Sequence, residues 1–386
     1  MIELKRIKEL FRQFYGGDDP IYCFFSPGRV NLIGEHIDYN GGYVLPLALS
    51  IGTYGFIRYR DDNIIQLRSL NADGEILINL SEDIKYDKQC KWSNYPCGVI
   101  KYLMEGGYSI SGCDILFTSD LPIDSGLSSS ASIEILTGYM LLYRAFQDKI
   151  NRIDLARLCQ RAENEFIGVN CGIMDQFSIA MGKKDNAILL DCNTLQFRYI
   201  PVHLDKYSLI VIDTTKKRSL SNSEYNKRRI ECEKVLHILR KHRNIENLCK
   251  TSIDDIYDYV RDDTLRRRAR HVVTEQKRVL ESVEMLKKGD IVSFGRLLTS
   301  SHESLRNDYE VTGIELDTVV FEALNVEGCI GSRMTGAGFG GCAIALVENR
   351  KIDEFKKQVS KGYTKKTGLR ADFYKCEISD GCRFID

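Results

Sequence analysis

The sequence predicts an α+β fold of two domains, with strands and helices mixed and no regular βαβ repeat. Three observations carry this reading. The chain has 386 residues, which at roughly 150 residues per domain is about two domains. Short β-branched and aromatic runs, punctuated by Gly, Asp and Pro, recur from residue 21 to residue 213 and again near the C-terminus. A long charge-laced helical stretch lies between them, from about residue 224 to 298. No fixed-period repeat and no flexible linker interrupts the chain. The division is placed where helix gives way to strands near residues 180–190, giving domains of 1–185 and 186–386.

In chain order, Ile2, Leu4, Ile7, Leu10, Phe11 and Phe14 fall near helical spacing and predict an amphipathic helix over 2–15. A strand is expected at 21–26, broken by Pro27-Gly28. Residues 43–59 and 64–80 read as strands with Gly-containing turns, 94–105 as a helix, and 114–119 as a short strand ending in Asp120-Leu121-Pro122. Helices are expected at 128–146 and 153–166, the second with Leu155, Leu158, Ala162 and Phe166 near one face. Short strands are expected at 187–191, 197–201 and 209–213, and late ones at 342–347 and 373–378.

Composition narrows the function. Lys+Arg and Asp+Glu are 54 each, so the formal net charge is zero, without the footprint of a nucleic-acid binder. Basic clusters at 216–218, 227–229 and 266–270 have acidic neighbours and are expected to be solvated helix faces. The 13 cysteines are odd in number and scattered without a CxxC pair, which predicts reduced thiols in a cytosolic protein and no zinc site. The opening MIELKRIKEL has no apolar signal-peptide core. The longest uncharged run, 39–57, contains Asn40, Gly41, Gly42 and Pro46, so buried strands are expected there and no membrane span.

Four segments are dense in chemistry. The stretch 26–42 offers Arg29, Glu35, His36 and Asp38 among glycines; carboxylates and imidazole suit the hydroxyls of a polyol, and Arg29 suits a transferring phosphoryl group, the alternative being a turn-rich loop with a surface ion pair. The stretch 121–132 opens a helix with Gly126 and consecutive serines, a ready anion site in which the serines could instead serve as caps. The stretch 331–341 formally satisfies GxGxxG at Gly336, Gly338 and Gly341, but it precedes a strand, so a dinucleotide fingerprint is rejected. It is left as a loop that brings backbone near a ligand or a tight turn that packs a strand. The stretch 161–176 supplies Glu163 and Asp175, which suit the two acids a kinase site needs, one for Mg²⁺ and one beside the attacking hydroxyl, or equally a solvated Glu and a helix-capping Asp.

Together these segments resemble the galactokinase branch of the superfamily that also holds homoserine, mevalonate and phosphomevalonate kinases. The resemblance rests on GRVNLIGEH-x-DYNGG at 28–42, GLSSSAS at 126–132, GIMDQF at 172–177, SEYNKRR at 223–229 and TGAGFGG at 335–341, and runs from about residue 20 to the C-terminus. It implies an N-terminal domain like a ribosomal-protein domain and a ferredoxin-like C-terminal domain, with the site between them. It implies a cytoplasmic enzyme that uses ATP and Mg²⁺ to make α-galactose 1-phosphate, without nucleic-acid or membrane partners. By the same resemblance Arg29 stabilises the phosphoryl group and Asp175 orients or deprotonates the C1 hydroxyl. Glu35, His36, Ile37, Asp38, Gly172, Asp175 and Tyr225 meet the sugar. The loop Asp124, Ser125, Gly126, Leu127, Ser128, Ser129 and Ser130 wraps the ATP phosphates, Ser130 and Glu163 hold Mg²⁺, and Ser69 and Trp92 lie near the nucleotide. The family usually has Thr where Ile37 stands and Gly where Asp124 stands. Two other readings stay open: a 1-kinase for N-acetylgalactosamine, arabinose or galacturonate, and a non-catalytic sensor of galactose and ATP.

Overall fold

The computed structural model describes residues 3–122, 126–216 and 221–386, the side chains of 221–223 apart. Helix α1 (Leu4–Tyr15) buries Ile7 and Phe11 and stops at Gly16. Then come β1 (Tyr22–Asn31), β2 (Tyr43–Val44), β3 (Pro46–Tyr59), β4 (Ile64–Ser69), β5 (Glu75–Asn79), α2 (Asn94–Glu105), β6 (Cys113–Ser119) and α3 (Ser129–Phe146). Helix α4 (Arg152–Arg161) runs into a π-helical segment, Ala162–Ile167, and is followed by α5 (Met174–Met181), β7 (Asn186–Asp191), β8 (Phe197–Pro201) and β9 (Tyr207–Asp213). The helical stretch comprises α6 (Ser221–Arg240), α7 (Ile253–Tyr259), α8 (Asp263–Lys287) and α9 (Ile291–Ser304), which ends in a second π segment, Leu305–Tyr309. The chain closes with α10 (Gly313–Leu324), β10 (Cys329–Met334), β11 (Cys342–Glu348), α11 (Ile352–Thr367), β12 (Asp372–Cys376) and β13 (Arg383–Phe384).

The strands form three sheets, ordered β13-β1-β3-β6-β4-β5, β10-β11-β9-β12 and β2-β7-β8. All pairings are antiparallel except β4 with β6. Helix α3 lies on β1 and β3, with Ile135, Leu136 and Met140 fully buried. The last strand returns to the first sheet, pairing Phe24 with Phe384, and β7 pairs with β2, so both halves of the chain contribute to shared sheets.

Several expectations are corrected. Pro27-Gly28 does not end β1: Pro27 still pairs with Gly52, and the strand continues to Asn31 through a register shift between Pro27 and Arg29 whose extra residues, 49–51, lie on β3. The helix expected over 153–166 changes to a π segment at Ala162, which carries Glu163. Helices α5, α10 and α11 and strand β10 were not anticipated. The basic clusters are not simply solvated. Arg228 is buried and donates to the carbonyls of Tyr309 and Glu310, while Arg268, 2% exposed, pairs with Glu231 and Glu310. Such buried guanidinium groups hold the second π segment against α6 and α8 by satisfied hydrogen bonds. All 13 cysteines are free thiols. Among the described residues no helix is long and apolar enough to cross a membrane.

Candidate active site

Just past the register shift in β1, Arg29 lines a cavity of about 390 Å³. Its guanidinium donates to both oxygens of Asp175, from Nε to Oδ1 and from Nη2 to Oδ2, each at 2.7 Å, and from Nη1 to the carbonyl of Gly126 at 2.7 Å. Burial would lower the Arg29 pKa, but the charge and hydrogen bonds of Asp175 outweigh it and hold it up. Asp175 stands in the first turn of α5 and accepts a further bond from Ser128 Oγ at 2.5 Å.

Ser128 precedes α3 in a left-handed conformation, φ 62°, and its side chain makes no cap bond. Two further serines of the run are engaged elsewhere too. Ser132 bonds the Ser26 carbonyl and Thr53, and Ser130 bonds Glu163. Ser128, the residue before α3, thus leaves the first-turn amides uncapped by its own side chain, as an anion site at a helix N-terminus requires. Gly126, Ser128, Ser129 and Ser130 line the cavity. Leu127 is turned into the core, and Asp124 and Ser125 lie outside the described residues.

The loop after β1 forms the polar wall. Burial drives His36 down to about 3, so the ring is neutral. Its Nε2 lies 3.1 Å from the Ala337 carbonyl and must carry the proton, which leaves Nδ1 to accept from Tyr39 Oη at 2.8 Å. Tyr39 Oη in turn accepts from Tyr309 Oη at 3.0 Å. Tyr225 on α6 packs its ring 5.5 Å from that of His36. Glu35 Oε1 accepts from Thr335 Oγ1 at 3.0 Å and the Gly336 amide at 2.8 Å, and Oε2 accepts from Asn31 at 3.2 Å. Burial raises the Glu35 pKa against the pull of Arg333.

Asp38 is partly exposed to the cavity, yet removal from bulk water pushes it up to about 7. A Cβ on Gly172 would stand 2.0 Å from Asp38 Oδ2, so only glycine admits this approach. Glu163 is 7% exposed; burial, then the charge of Asp175, pushes it up to about 7. It accepts from Gln176 Nε2 at 2.6 Å, which also reaches Glu134 at 3.1 Å.

The cavity therefore unites Arg29, Glu35, His36, Asp38, Gly172, Asp175 and Tyr225 with the serine run and Glu163, as the sequence suggested. It leaves out four expected side chains, Leu127 among them. Ile37 is fully buried in the core, Ser69 ends β4 and accepts from the Asn71 amide, and Trp92 packs edge-on against Phe117. The structure adds Tyr95, Cys171 and Ala337. Cys171 and Ala337 adjoin glycines already singled out; Tyr95, in the first turn of α2, carried no signal.

Mg²⁺ fits this donor set. Among the described residues no group of three or more His, Cys, Asp and Glu is placed to hold a metal ion. Mg²⁺ is commonly held by one or two carboxylates with substrate phosphates, which needs no protein cage. Glu163 is a buried carboxylate beside another carboxylate, with a raised pKa that a cation would relieve.

Three family models match the chain: the galactokinase galactose-binding signature over residues 9–59, the GHMP kinases N terminal domain over 94–183 and the GHMP kinases C terminal model over 282–365. A galactokinase of Clostridium tetani is 51% identical over 383 residues, covering 98% of this chain and 97% of its own length. The chain belongs to the galactokinase family. It is a kinase, and use of ATP follows from the family. A galactokinase of Fusobacterium nucleatum is 50% identical, covering 98% and 97% of the two chains. The structure of Lactococcus lactis galactokinase complexed with galactose superposes with a TM-score of 0.95 at 43% identity, covering 99% of this chain and all of that one. Mevalonate kinase of Methanococcus jannaschii, at 22% identity, covers 96% of this chain and 99% of its own with a TM-score of 0.67 and shows the shared two-domain fold. This galactokinase-family chain thus has the two-domain architecture expected from its sequence.

Proposed function

We propose that the chain transfers the γ-phosphoryl group of ATP to the C1 hydroxyl of galactose, giving α-galactose 1-phosphate and ADP in the cytosol. The observation that carries this is the Arg29–Asp175–Ser128 cluster, set between a polyol-like wall of His36 and Asp38 and an uncapped helix start. A carboxylate has about four lone-pair sites. Arg29 and Ser128 occupy three at Asp175, leaving one to accept from the sugar hydroxyl and aim its oxygen. The Arg29 charge, beside that oxygen, offsets charge that builds on the phosphoryl group in flight. Asp38 holds a further hydroxyl, the His36 and Tyr225 rings pack beside the sugar, and the Gly126–Ser130 backbone receives the phosphates. Glu163 and Ser130 hold Mg²⁺, which when bound neutralises phosphate charge. The division into domains at 1–185 and 186–386 belongs to this reading, with the cavity between the two parts.

Phosphorus and proton NMR of the product tests it. A phosphate coupled to the anomeric proton, with the small coupling of the α-anomer, is expected; phosphate on any other carbon refutes the assignment.

A further inference from the structure

The loop that carries the sugar-facing residues is held in place from behind by two side chains that do not line the cavity. His271 and Glu275 lie four residues apart on α8, hence on one helix face, and both are fully buried. His271 Nε2 is 3.1 Å from the carbonyl oxygen of Glu35, and its Nδ1 is 2.9 Å from Ser304 Oγ. Burial brings His271 down to about 4, so the ring is neutral; Nε2–H donates to the Glu35 carbonyl, and Nδ1 is left to accept from the Ser304 hydroxyl, whose proton is shared with Asp308 Oδ2 at 3.2 Å. Glu275 Oε1 accepts from the Gly34 amide at 2.9 Å and from Ser301 Oγ at 2.6 Å, while Oε2 accepts from Arg278 at 2.7 Å.

The backbone they grip needs holding. Gly34 has φ 104° and His36 φ 62°, both in the left-handed half of conformational space. A histidine there is a sparsely populated state that persists only where its surroundings over-determine it. The peptide between these residues is bonded at one side by Glu275, through Gly34 N–H, and at the other by His271, through Glu35 C=O. Two residues later the chain presents Asp38 to the cavity.

We propose that His271 and Glu275 are positioning residues for sugar recognition, fixing the Gly34–His36 backbone so that His36 and Asp38 face the cavity before the sugar arrives. This rests on the galactose reading above, since the hydroxyl that Asp38 would meet and the ring that His36 would pack against belong to the sugar. ATP is received by another segment, the start of α3, so loss of the grip acts on one substrate and spares the other.

The test compares matched variants in steady-state kinetics, with galactose and ATP varied separately. His271→Asn places an amide where Nδ1 stands, keeping Ser304 and losing Glu35; His271→Gln places one where Nε2 stands, with the reverse effect. His271→Asn is expected to raise the galactose KM at least about tenfold and leave the ATP KM within about twofold, while His271→Gln stays within about threefold for both. Glu275→Asp, which withdraws the acceptor by one methylene, and Glu275→Gln, which retains it, form a second pair with the same expected contrast should the first not fold. A purely structural role would lower Tm and shift both KM values together, whichever amide stands there. The proposal is overturned if galactose KM stays within about twofold in His271→Asn and Glu275→Asp, if both KM values rise equally, or if the Gln variants are as impaired as the short ones. A wild-type enzyme inactive on galactose would refute the functional reading instead, and the two failures are distinct.

Discussion

Asp175 and Arg29, 146 residues apart in the sequence, meet as a bidentate pair with Nε–Oδ1 and Nη2–Oδ2 both at 2.7 Å. The fork fixes the carboxylate plane, and the third Arg29 donor ties the same guanidinium to the Gly126 carbonyl. In the proposed reaction, one side chain thus couples the group assigned to the acceptor hydroxyl to the loop assigned to the phosphates. A shift in either is felt by the other, and the chemistry depends on both being aligned.

Asp175→Asn is expected to lower kcat at least about 100-fold, the usual scale for loss of an acid/base group. ATP Kd, read by isothermal titration, should stay near the wild-type value. Retention of a tenth or more of kcat would remove Asp175 from the reaction.

Arg29→Lys keeps the charge but loses the fork. An ammonium cannot hold two carboxylate oxygens and a carbonyl in one plane. The loss should fall on kcat by at least about tenfold, with smaller changes in either KM. A change confined to the galactose KM would make Arg29 a ground-state sugar ligand.

Much of this site was legible because its residue types are costly to place together by chance. Arg29, Glu35, His36 and Asp38 crowd into ten residues, and the serine run is excessive for a cap. The Arg29–Asp175 contact itself was not legible, because no local spacing relates residues from β1 and α5. His271 and Glu275 read as members of a charge-laced helix; the hint was that they share a spacing with apolar Val279, and only packing shows that this stripe is buried. Strand β1 was cut short because Pro27 and Gly28 punctuate a sequence, whereas a register shift lets a sheet carry them through. Ile37 sits within the sugar motif yet points to the core, since neighbours along a loop need not face the same way.

Glu163→Gln should raise the Mg²⁺ concentration for half-maximal rate at least about tenfold, with the galactose KM little changed. The neutral amide removes the anionic oxygen donor but preserves volume beside Gln176. An unaltered Mg²⁺ dependence would separate Glu163 from the metal.

Asp38 makes stability depend on pH. Burial lifts it from 3.8 to about 7, so the folded protein binds this proton more tightly than the unfolded chain does. Its contribution is fully present below the unfolded value and is lost as pH rises through the folded one. The Tm of the wild type should therefore fall relative to that of Asp38→Asn between pH 3.8 and about 7, and the difference should then level off. Parallel Tm profiles for the two proteins across that range would place the Asp38 titration elsewhere.

The central claim is that this cavity recognises galactose and presents one of its hydroxyls to ATP. The most direct measurement is coupled ADP release with ATP and Mg²⁺ across galactose, glucose, N-acetylgalactosamine, arabinose and galacturonate. The highest kcat/KM is expected for galactose, since a site built to bond particular hydroxyls rejects sugars that misplace them by orders of magnitude. A higher kcat/KM for any other sugar in the panel, or no turnover with galactose at all, would contradict it.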